Sequence, residues 1–364
     1  MQKILSDIKE IPRVLTAHSA KKVLLVCDRD FEYLGASGYI KNVTAPYVLF
    51  DSFTPNPLYE DIVKGVDVFR DNGCDFIVAV GGGSTLDTAK CIKLFCKMDP
   101  AKNYLKQEYI KNNVPILAVP TTAGTGSEST RFAAIYYNGE KQSVADNDIL
   151  PSYVVLEPSV LKTLPLYQKK CTMLDALCQA IEAWWSINST EESRNLSKQG
   201  VRLIISNMKD YLDNTDDGNK AMLTASNLSG QAINIAQTTA AHAMSYKLTS
   251  LYHLPHGHAV ALCLPRLWRY MLENMEKCSD QRGPIYLWRI FLDISAALGA
   301  TDIISAIRFF EELLGTLEIS APAEIREEDL ALLASSINSV RLKNNPVPID
   351  YENALKLYKK ILCI

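Results

Sequence analysis

One segment constrains the possible fold of this chain most strongly. In it, a strand-like run is followed by three consecutive glycines and then by a helix-like segment. The apolar residues 76–80 are typical of a buried strand, and Gly81–Gly83 end it. Glycines let the backbone turn tightly and approach a ligand closely, while the N–H groups that open a helix carry the positive end of its dipole. With Ser84, Asp87 and Lys90 close behind, the glycines predict a phosphate-binding loop rather than an ordinary strand-to-helix turn.

Length, charge and cysteine usage exclude several classes of protein. The chain has 364 residues, more than one hydrophobic core usually serves, so we expect two domains. A net charge of -3 without a basic run argues against nucleic acid and anionic membranes as partners. No apolar stretch approaches the ~20 residues of a membrane span, and the N-terminus has no apolar core of the signal-peptide kind. Nine scattered cysteines without a CxxC pair indicate reduced thiols and a cytoplasmic protein.

Strand and helix patterns alternate as far as Pro158, after a helix-like start at residues 1–10. The predicted strands are 22–27, 47–50, 76–80, 115–119, 132–137 and 153–156, with helices at 56–72 and 84–97. Such alternation predicts a parallel sheet covered by helices, with a ligand crevice at the carboxyl ends of the strands.

Helical patterns dominate after Pro158. The candidates are 175–187, 191–212, 220–236, 287–298, 301–317 and 351–362. We therefore predict an α/β Rossmann-like N-terminal domain, residues 1–162, and an all-helical C-terminal domain, residues 163–364.

Histidines cluster in the helical half. Four of the five histidines lie between His242 and His258. Asp175 and Gln179 are four residues apart among apolar neighbours, and so share one face of a helix. A carboxylate with several imidazoles indicates a divalent metal site, the alternative being a buried carboxylate and structural histidines with ordinary partners.

The segment PTTAGTGSE at 120–128 is a third signal, because hydroxyl groups and glycines directly after a strand can surround a ribose, a phosphate or a nicotinamide. The alternative is a flexible surface loop. Its position at the expected crevice favours ligand binding.

Together these segments resemble the iron-dependent (group III) alcohol dehydrogenase family, nearly from end to end. The resemblance is carried by Asn56-Pro57, GGGSTLDTAK at 81–90, PTTAGTGSE at 120–128, DALCQAIEAWWS at 175–186, and His242 followed by HGHAVALCLP at 256–265. It implies a two-domain fold shared with dehydroquinate synthase, an active site in the cleft between the domains, and a homodimer.

The resemblance also implies roles for particular residues. The glycine loop would hold a dinucleotide pyrophosphate, and Asp28, after the first strand, would contact the adenosine ribose and favour NAD over NADP. The implied nucleotide contacts are Asp28, Asn56, Gly81, Gly82, Gly83, Ser84, Asp87, Thr121, Thr122 and Thr125. The implied ligands of a divalent metal, Fe²⁺ or Zn²⁺, are Asp175, Gln179, His242 and His256.

Two positions depart from the family pattern. Gln179 stands where the family has a histidine, and an amide oxygen ligates more weakly than imidazole, so we expect a weakened metal site or none. Tyr246 replaces a histidine that the family links to proton transfer, and a phenol is a different acid. The proton for the product would come from water, from the ribose hydroxyls or from a nearby side chain, for which Tyr246 and His258 are the candidates.

The amino-acid sequences of segments 175–193 and 241–265 resemble the hydroxyethylphosphonate dehydrogenase branch of this family, which reduces phosphonoacetaldehyde. A dianionic substrate needs cationic or donor groups. The candidates are Arg131, Lys141, Lys247, His253 and His258, with ordinary surface charge as the alternative for each.

The expected activity is therefore reversible, metal-assisted reduction of an aldehyde to a primary alcohol. Three alternatives stay open: a general medium-chain or polyol alcohol dehydrogenase, a sugar-phosphate cyclase or lyase, and a non-catalytic nucleotide-binding protein.

Overall fold

A computed structural model describes residues 2–5, 7–28, 37–38 and 45–363. The chain forms two compact units. The first comprises Met1–Leu164 with Asp213–Asn227, and the second comprises Pro165–Leu212 with Leu228–Ile364.

The first unit is built on a parallel sheet of six strands. In chain order the strands are β1 (Lys3–Leu5), β2 (Val23–Cys27), β3 (Tyr47–Phe50), β4 (Phe76–Gly81), β5 (Ile116–Pro120) and, after a hairpin, β8 (Tyr153–Val155). Their spatial order is β1-β8-β5-β4-β2-β3. The hairpin consists of β6 (Phe132–Tyr137) and β7 (Glu140–Ala145), paired antiparallel. The predicted parallel α/β architecture is confirmed.

The helices that connect the strands include α1 (Ile11–Ala17), α2 (Tyr59–Asp71) and α3 (Gly83–Phe95). The predicted helix at 56–72 begins later because Asn56 has a left-handed backbone, with φ 58°. The predicted helix-like start of the chain is wrong for residues 3–5, which pair in parallel with Tyr153–Val155 as an edge strand. A short 3-10 helix, Ile8–Glu10, directly precedes α1.

The order of the strands places the predicted nucleotide segment. Strand β2 lies between β3 and β4, so the chain moves to opposite sides of β2 in its next two strands. The carboxyl ends of β2 and β4 therefore flank a topological switch point, where open α/β sheets bind ligands. Asp28 follows β2 and Gly81–Gly83 follow Val80 of β4 at this point.

The second unit is helical, with no strand among its described residues. Its helices are α4 (Leu166–Trp185), α5 (Glu191–Leu212), the end of α6 (Asp216–Ala236), α7 (Ala240–Tyr252), α8 (His256–Glu273), α9 (Pro284–Ala297), α10 (Ile303–Thr316), α11 (Asp329–Ser335), α12 (Ser339–Leu342) and α13 (Tyr351–Leu362). Helix α4 begins earlier than the predicted 175–187 because Pro165 is its N-cap and fixes the chain direction there.

Residues 213–227 belong to the first unit, although they lie far along the chain. The Asn227 amide donates to Glu128 Oε1 at 3.1 Å, and Lys162 Nζ donates to the carbonyl of Asn214 at 2.8 Å. The division at residue 162 stays a prediction, and the compact units differ from it by this segment.

Across the described ranges, no helix is both long and apolar enough to cross a membrane.

Candidate functional site

Three side chains with metal-binding atoms come together in the second unit. Asp175 lies in the middle of α4, His242 near the start of α7, and His256 is the first residue of α8. One donor atom of each lies within 4.8 Å of the other two. Asp175 and His242 are buried and His256 is partly exposed, so the group is accessible at His256.

The spacing and the burial of these donors suit a divalent metal. His242 Nε2 lies 3.4 Å from Asp175 Oδ1. Two ligands of a tetrahedral ion with bonds of about 2.1 Å are also about 3.4 Å apart. His242 Nε2 is buried and has no hydrogen-bond partner among the residues that the structure describes. Such an atom is costly unless a further group meets it, and a metal ion would do so.

Gln179 lies one turn after Asp175 on α4, and the residue is only 4% exposed. Positions four apart on a helix share a face, so the amide oxygen is a suitable fourth donor. The set would then contain two oxygen and two nitrogen donors. The assignment of Gln179 as a ligand stays a prediction.

Close packing of α8 on α4 brings His256 to Asp175. A Cβ atom at Gly257 would lie 2.0 Å from the carbonyl oxygen of Cys171 and 2.8 Å from Asp175 Cβ. Real side chains do not approach a backbone atom so closely. Only glycine therefore allows the two helices to meet directly beside Asp175 and His256.

Glu182 lies two turns after Asp175 on α4 and binds the start of α7, the helix that carries His242. Its carboxylate is fully buried and accepts hydrogen bonds from the N-cap residue Thr239 and from the first turn of α7. Its second oxygen, Oε2, contacts His242 Nδ1. The sequence analysis did not single out this residue. Its spacing of seven from Asp175, on one helix face, was an available signal.

The charges of Glu182 and His242 depend on each other. Burial alone would lower the pKa of His242, but the carboxylates of Glu182 and Asp175 raise that pKa to about 10. Burial alone would raise the pKa of Glu182, but His242 and Thr239 bring it below its ordinary value. Without a metal the two side chains therefore form an ion pair at neutral pH, and a metal at Nε2 would replace a proton.

Tyr246 lies beside the group of Asp175, His242 and His256. Its ring stacks on that of His256, with centroids 5.8 Å apart and planes inclined by 20°. His256 also meets the His242 ring at a centroid distance of 5.3 Å. The structure thus brings one of the two predicted proton donors to this group.

His258 is engaged on both ring nitrogens. Nδ1 lies 2.8 Å from the hydroxyl of Tyr167, and Nε2 lies 2.8 Å from the carbonyl oxygen of Ser320. Because a carbonyl only accepts, Nε2 carries the proton and Nδ1 accepts from Tyr167. Burial lowers the pKa of His258 and keeps the ring neutral. These contacts favour a structural role over the predicted role in proton transfer or anion binding.

The predicted nucleotide residues gather around the start of α3 in the first unit. Asp28 accepts a hydrogen bond from the Thr85 hydroxyl. The backbone N–H of Asn56 donates to Ser84 Oγ at 3.1 Å, and that of Thr121 donates to the Gly81 carbonyl at 3.0 Å. Asp28 after β2, Asn56 after β3 and Thr121 after β5 therefore lie around the helix N-terminus that follows β4.

The three glycines of this loop are not equivalent. A Cβ at Gly81 would lie 2.2 Å from Thr85 Oγ1, and one at Gly83 would lie 2.8 Å from Thr125 Cγ2. At Gly82, the N-cap of α3, the nearest atom would be Thr122 Cγ2 at 3.4 Å, an ordinary contact. Protein packing explains Gly81 and Gly83. Gly82 has room for a methyl group, so packing against the described residues does not require glycine there, and its contact with a nucleotide stays a prediction.

Asp87 accepts hydrogen bonds from the PTTAGTGSE loop and from the strand that follows it. Its oxygens accept from Ser127 Oγ at 2.6 Å and from the Ala134 N–H at 2.8 Å. Lys90, one turn later, donates to Ser127 Oγ, to Thr130 Oγ1 and to the Phe132 carbonyl. Burial lowers the pKa of Lys90 to about 8, against the opposing charge of Asp87. These contacts give Asp87 a part in positioning the loop; the predicted direct contact with a nucleotide stays a prediction.

The predicted anion-binding residues are spread over the chain. Arg131 Nη1 lies 3.4 Å from Asn147 Oδ1, with its guanidinium 5.4 Å from the Phe132 ring centroid. Lys141 is exposed on β7, and Lys247 is partly exposed on α7. His253 ends α7 with a left-handed φ of 54°.

Comparison with known proteins covers nearly the whole chain. The family described as iron-containing alcohol dehydrogenase matches residues 5–158, and the C-terminal part of the Fe-containing alcohol dehydrogenase family matches residues 170–362.

Individual relatives carry several substrate names. Phosphonoacetaldehyde reductase of Streptomyces viridochromogenes is 33% identical over 78% of this chain and 75% of its own length. NAD-dependent methanol dehydrogenase of Bacillus methanolicus is 28% identical over 98% of this chain and 96% of its own. The crystal structure of sulfoacetaldehyde reductase from Bifidobacterium kashiwanohense in complex with NAD⁺ superposes with a TM-score of 0.89 at 24% identity, covering 100% of this chain and 96% of the other. This likeness confirms the predicted two-domain fold class.

Proposed function

The chain belongs to the iron-containing alcohol dehydrogenase family, and we propose that it reduces an aldehyde to a primary alcohol with a reduced nicotinamide dinucleotide and a divalent metal. Its curated relatives are dehydrogenases and reductases, so the protein is an oxidoreductase. The proposed metal rests on one observation. His242 Nε2 is buried beside Asp175 and His256 and has no hydrogen-bond partner among the described residues.

Asp175, His242 and His256 would hold the metal, with Gln179 as the fourth donor. A divalent ion acts as a Lewis acid toward a carbonyl oxygen and stabilises the negative charge that develops there. Tyr246, stacked on His256, would move its phenolic proton from Oη to the product oxygen. The shielded position of Asp175 and His242 would keep bulk water from the reacting group.

The dinucleotide would lie on the glycine loop. Reduced nicotinamide supplies the hydride, and the chain's part is to bind and orient it. The uncapped N–H groups at Gly82 and Gly83 would receive the pyrophosphate, and Asp28 would receive a ribose hydroxyl. The NAD-dependent relative supports NAD as the dinucleotide.

Alanine substitutions at Gly81 and Gly82 distinguish a glycine needed for protein packing from one needed for close approach of the dinucleotide. Gly82→Ala is expected to keep the melting temperature within about 2 °C, because its methyl meets nothing closer than 3.4 Å, and to weaken NADH binding about tenfold or more. Gly81→Ala is expected to lower the melting temperature as well, because its methyl would collide with Thr85. Calorimetry and fluorescence titration with NADH measure both quantities. Wild-type NADH affinity in Gly82→Ala would refute the pyrophosphate cradle.

For the substrate we propose phosphonoacetaldehyde. A relative named phosphonoacetaldehyde reductase is 33% identical to this chain. The sequence around Asp175 and His242 also resembles the hydroxyethylphosphonate dehydrogenase branch. Arg131, Lys141, Lys247 and His253 are the candidate partners of the phosphonate.

A substrate panel tests this choice. NADH oxidation should show a kcat/KM for phosphonoacetaldehyde about 100-fold above that for propanal, or ~2.7 kcal/mol, because the phosphonate adds charge-assisted hydrogen bonds. Sulfoacetaldehyde, of similar shape and smaller charge, is the matched control and should fall between them. Equal kcat/KM for propanal would instead identify a general alcohol dehydrogenase, as the methanol dehydrogenase relative suggests. Turnover without net NADH consumption would point to a cyclase or lyase.

A further inference from the structure

We infer that Glu182 is a positioning residue that fixes the orientation of the His242 ring and which of its two nitrogens faces the metal, and thereby sets the affinity of the metal site. The inference rests on the proposed function and adds to it a residue that touches neither substrate nor metal.

One carboxylate oxygen of Glu182 accepts four hydrogen bonds from residues at the start of α7. Oε1 accepts from the Thr239 N–H at 3.0 Å, the Thr239 hydroxyl at 2.8 Å, the Ala241 N–H at 3.0 Å and the His242 N–H at 3.3 Å. All four partners are donors in this arrangement, since the Thr239 hydroxyl in turn accepts from Trp185 Nε1 at 2.9 Å. Only an oxygen atom can occupy the Oε1 position.

The other oxygen therefore has a fixed place. Oε2 meets His242 Nδ1, and a carboxylate oxygen in contact with an imidazole nitrogen requires the proton on Nδ1. In the singly protonated ring, which is the form that can bind a metal, the lone pair is then on Nε2, which lies 3.4 Å from Asp175 Oδ1 in the group with His256. A carboxylate behind a ligating histidine orients the ring and strengthens the ligand.

This geometry makes Glu182→Gln a sharp test. The four donors hold the amide oxygen at the Oε1 position, so the NH₂ group must take the place of Oε2. An NH₂ group needs an acceptor, and His242 Nδ1 can accept only if the proton moves to Nε2. The variant keeps the size of the side chain and the cap of α7, but it presents the wrong nitrogen to the metal.

The first measurement is calorimetric titration of Zn²⁺ into metal-free protein. Glu182→Gln should raise the Kd about 10- to 100-fold, and Glu182→Asp, which keeps the charge, should raise it less. Asp280→Asn is the matched control. It removes another buried carboxylate of the second unit, one paired with Arg282, and should leave the Kd unchanged.

The second measurement needs no variant and so holds even if Glu182→Gln does not fold. In Zn²⁺-loaded wild-type protein with ¹⁵N-labelled histidine, the His242 signals should show a protonated Nδ1 and a metal-bound Nε2. A proton on Nε2, or wild-type Zn²⁺ affinity in folded Glu182→Gln, would overturn the inference alone. Absence of Zn²⁺ binding by the wild-type protein would instead overturn the proposed metal site, and the inference with it.

Discussion

Replacing His256 by alanine is expected to abolish metal binding and to lower kcat/KM by about 1,000-fold or more, equivalent to ~4 kcal/mol of transition-state stabilisation. His256 is one of three donors within 4.8 Å of one another, and its loss leaves Asp175 and His242 as a two-point site. Because the ring is partly exposed, the fold should tolerate its removal. Metal content by mass spectrometry and the rate of NADH oxidation measure the two effects.

His18→Ala is the control for that substitution. His18 lies in the first unit, where its Nε2 meets the Tyr153 hydroxyl at 2.8 Å, and it takes no part in the metal group. This variant should keep both metal and activity. Full activity in His256→Ala would remove the metal centre from the account.

Replacing Gly257 by alanine should damage the same site through the backbone. The new methyl would lie 2.0 Å from the Cys171 carbonyl, so α8 must move away from α4 and carry His256 with it. We expect the free energy of unfolding to fall by about 3 kcal/mol, because overpacking against a backbone atom has no flexible side chain to absorb it. The Kd for metal should rise at least tenfold.

Gly315→Ala is the matched control for the change at Gly257. Gly315 lies on α10, and a Cβ there would meet nothing within 4 Å. Alanine should therefore be neutral or stabilise α10 by up to ~1 kcal/mol through its higher helix propensity. Thermal unfolding with and without Zn²⁺ separates lost stability from lost metal. A Gly257→Ala protein with wild-type stability and metal affinity would contradict the packing argument.

The fold was largely predictable because local patterns and tertiary structure agree. Tyr47–Phe50, Phe132–Tyr137 and Glu191–Leu212 have the same bounds in the sequence patterns and in the structure. Strand β1 was missed because three residues are too few to show a periodicity, and its pairing with β8 makes it a strand. Residues 213–227 could not be assigned to the first unit for a similar reason, since side-chain bonds such as that of Asn227 to Glu128 decide it.

The site was predictable where chemistry is concentrated in the sequence and hidden where it depends on packing. Residue type and spacing indicated Asp175 and a cluster of histidines, the family resemblance singled out His242 and His256, and the structure brings these three side chains together. His258 has the same residue type, yet Tyr167 and Ser320 occupy both its nitrogens. Glu182 looked like any helix carboxylate, because its role comes from two oxygens facing the start of another helix.

The most direct test of the central claim is NADH oxidation with phosphonoacetaldehyde by wild-type protein that has been stripped of metal and then titrated with Fe²⁺, Zn²⁺ or Mg²⁺. A catalytic metal site at Asp175, His242 and His256 predicts negligible turnover in the stripped protein and full recovery when Fe²⁺ or Zn²⁺ saturates the site. Full turnover in the stripped protein, unchanged by any of the three ions, would show that Asp175, His242 and His256 do not form a catalytic metal site.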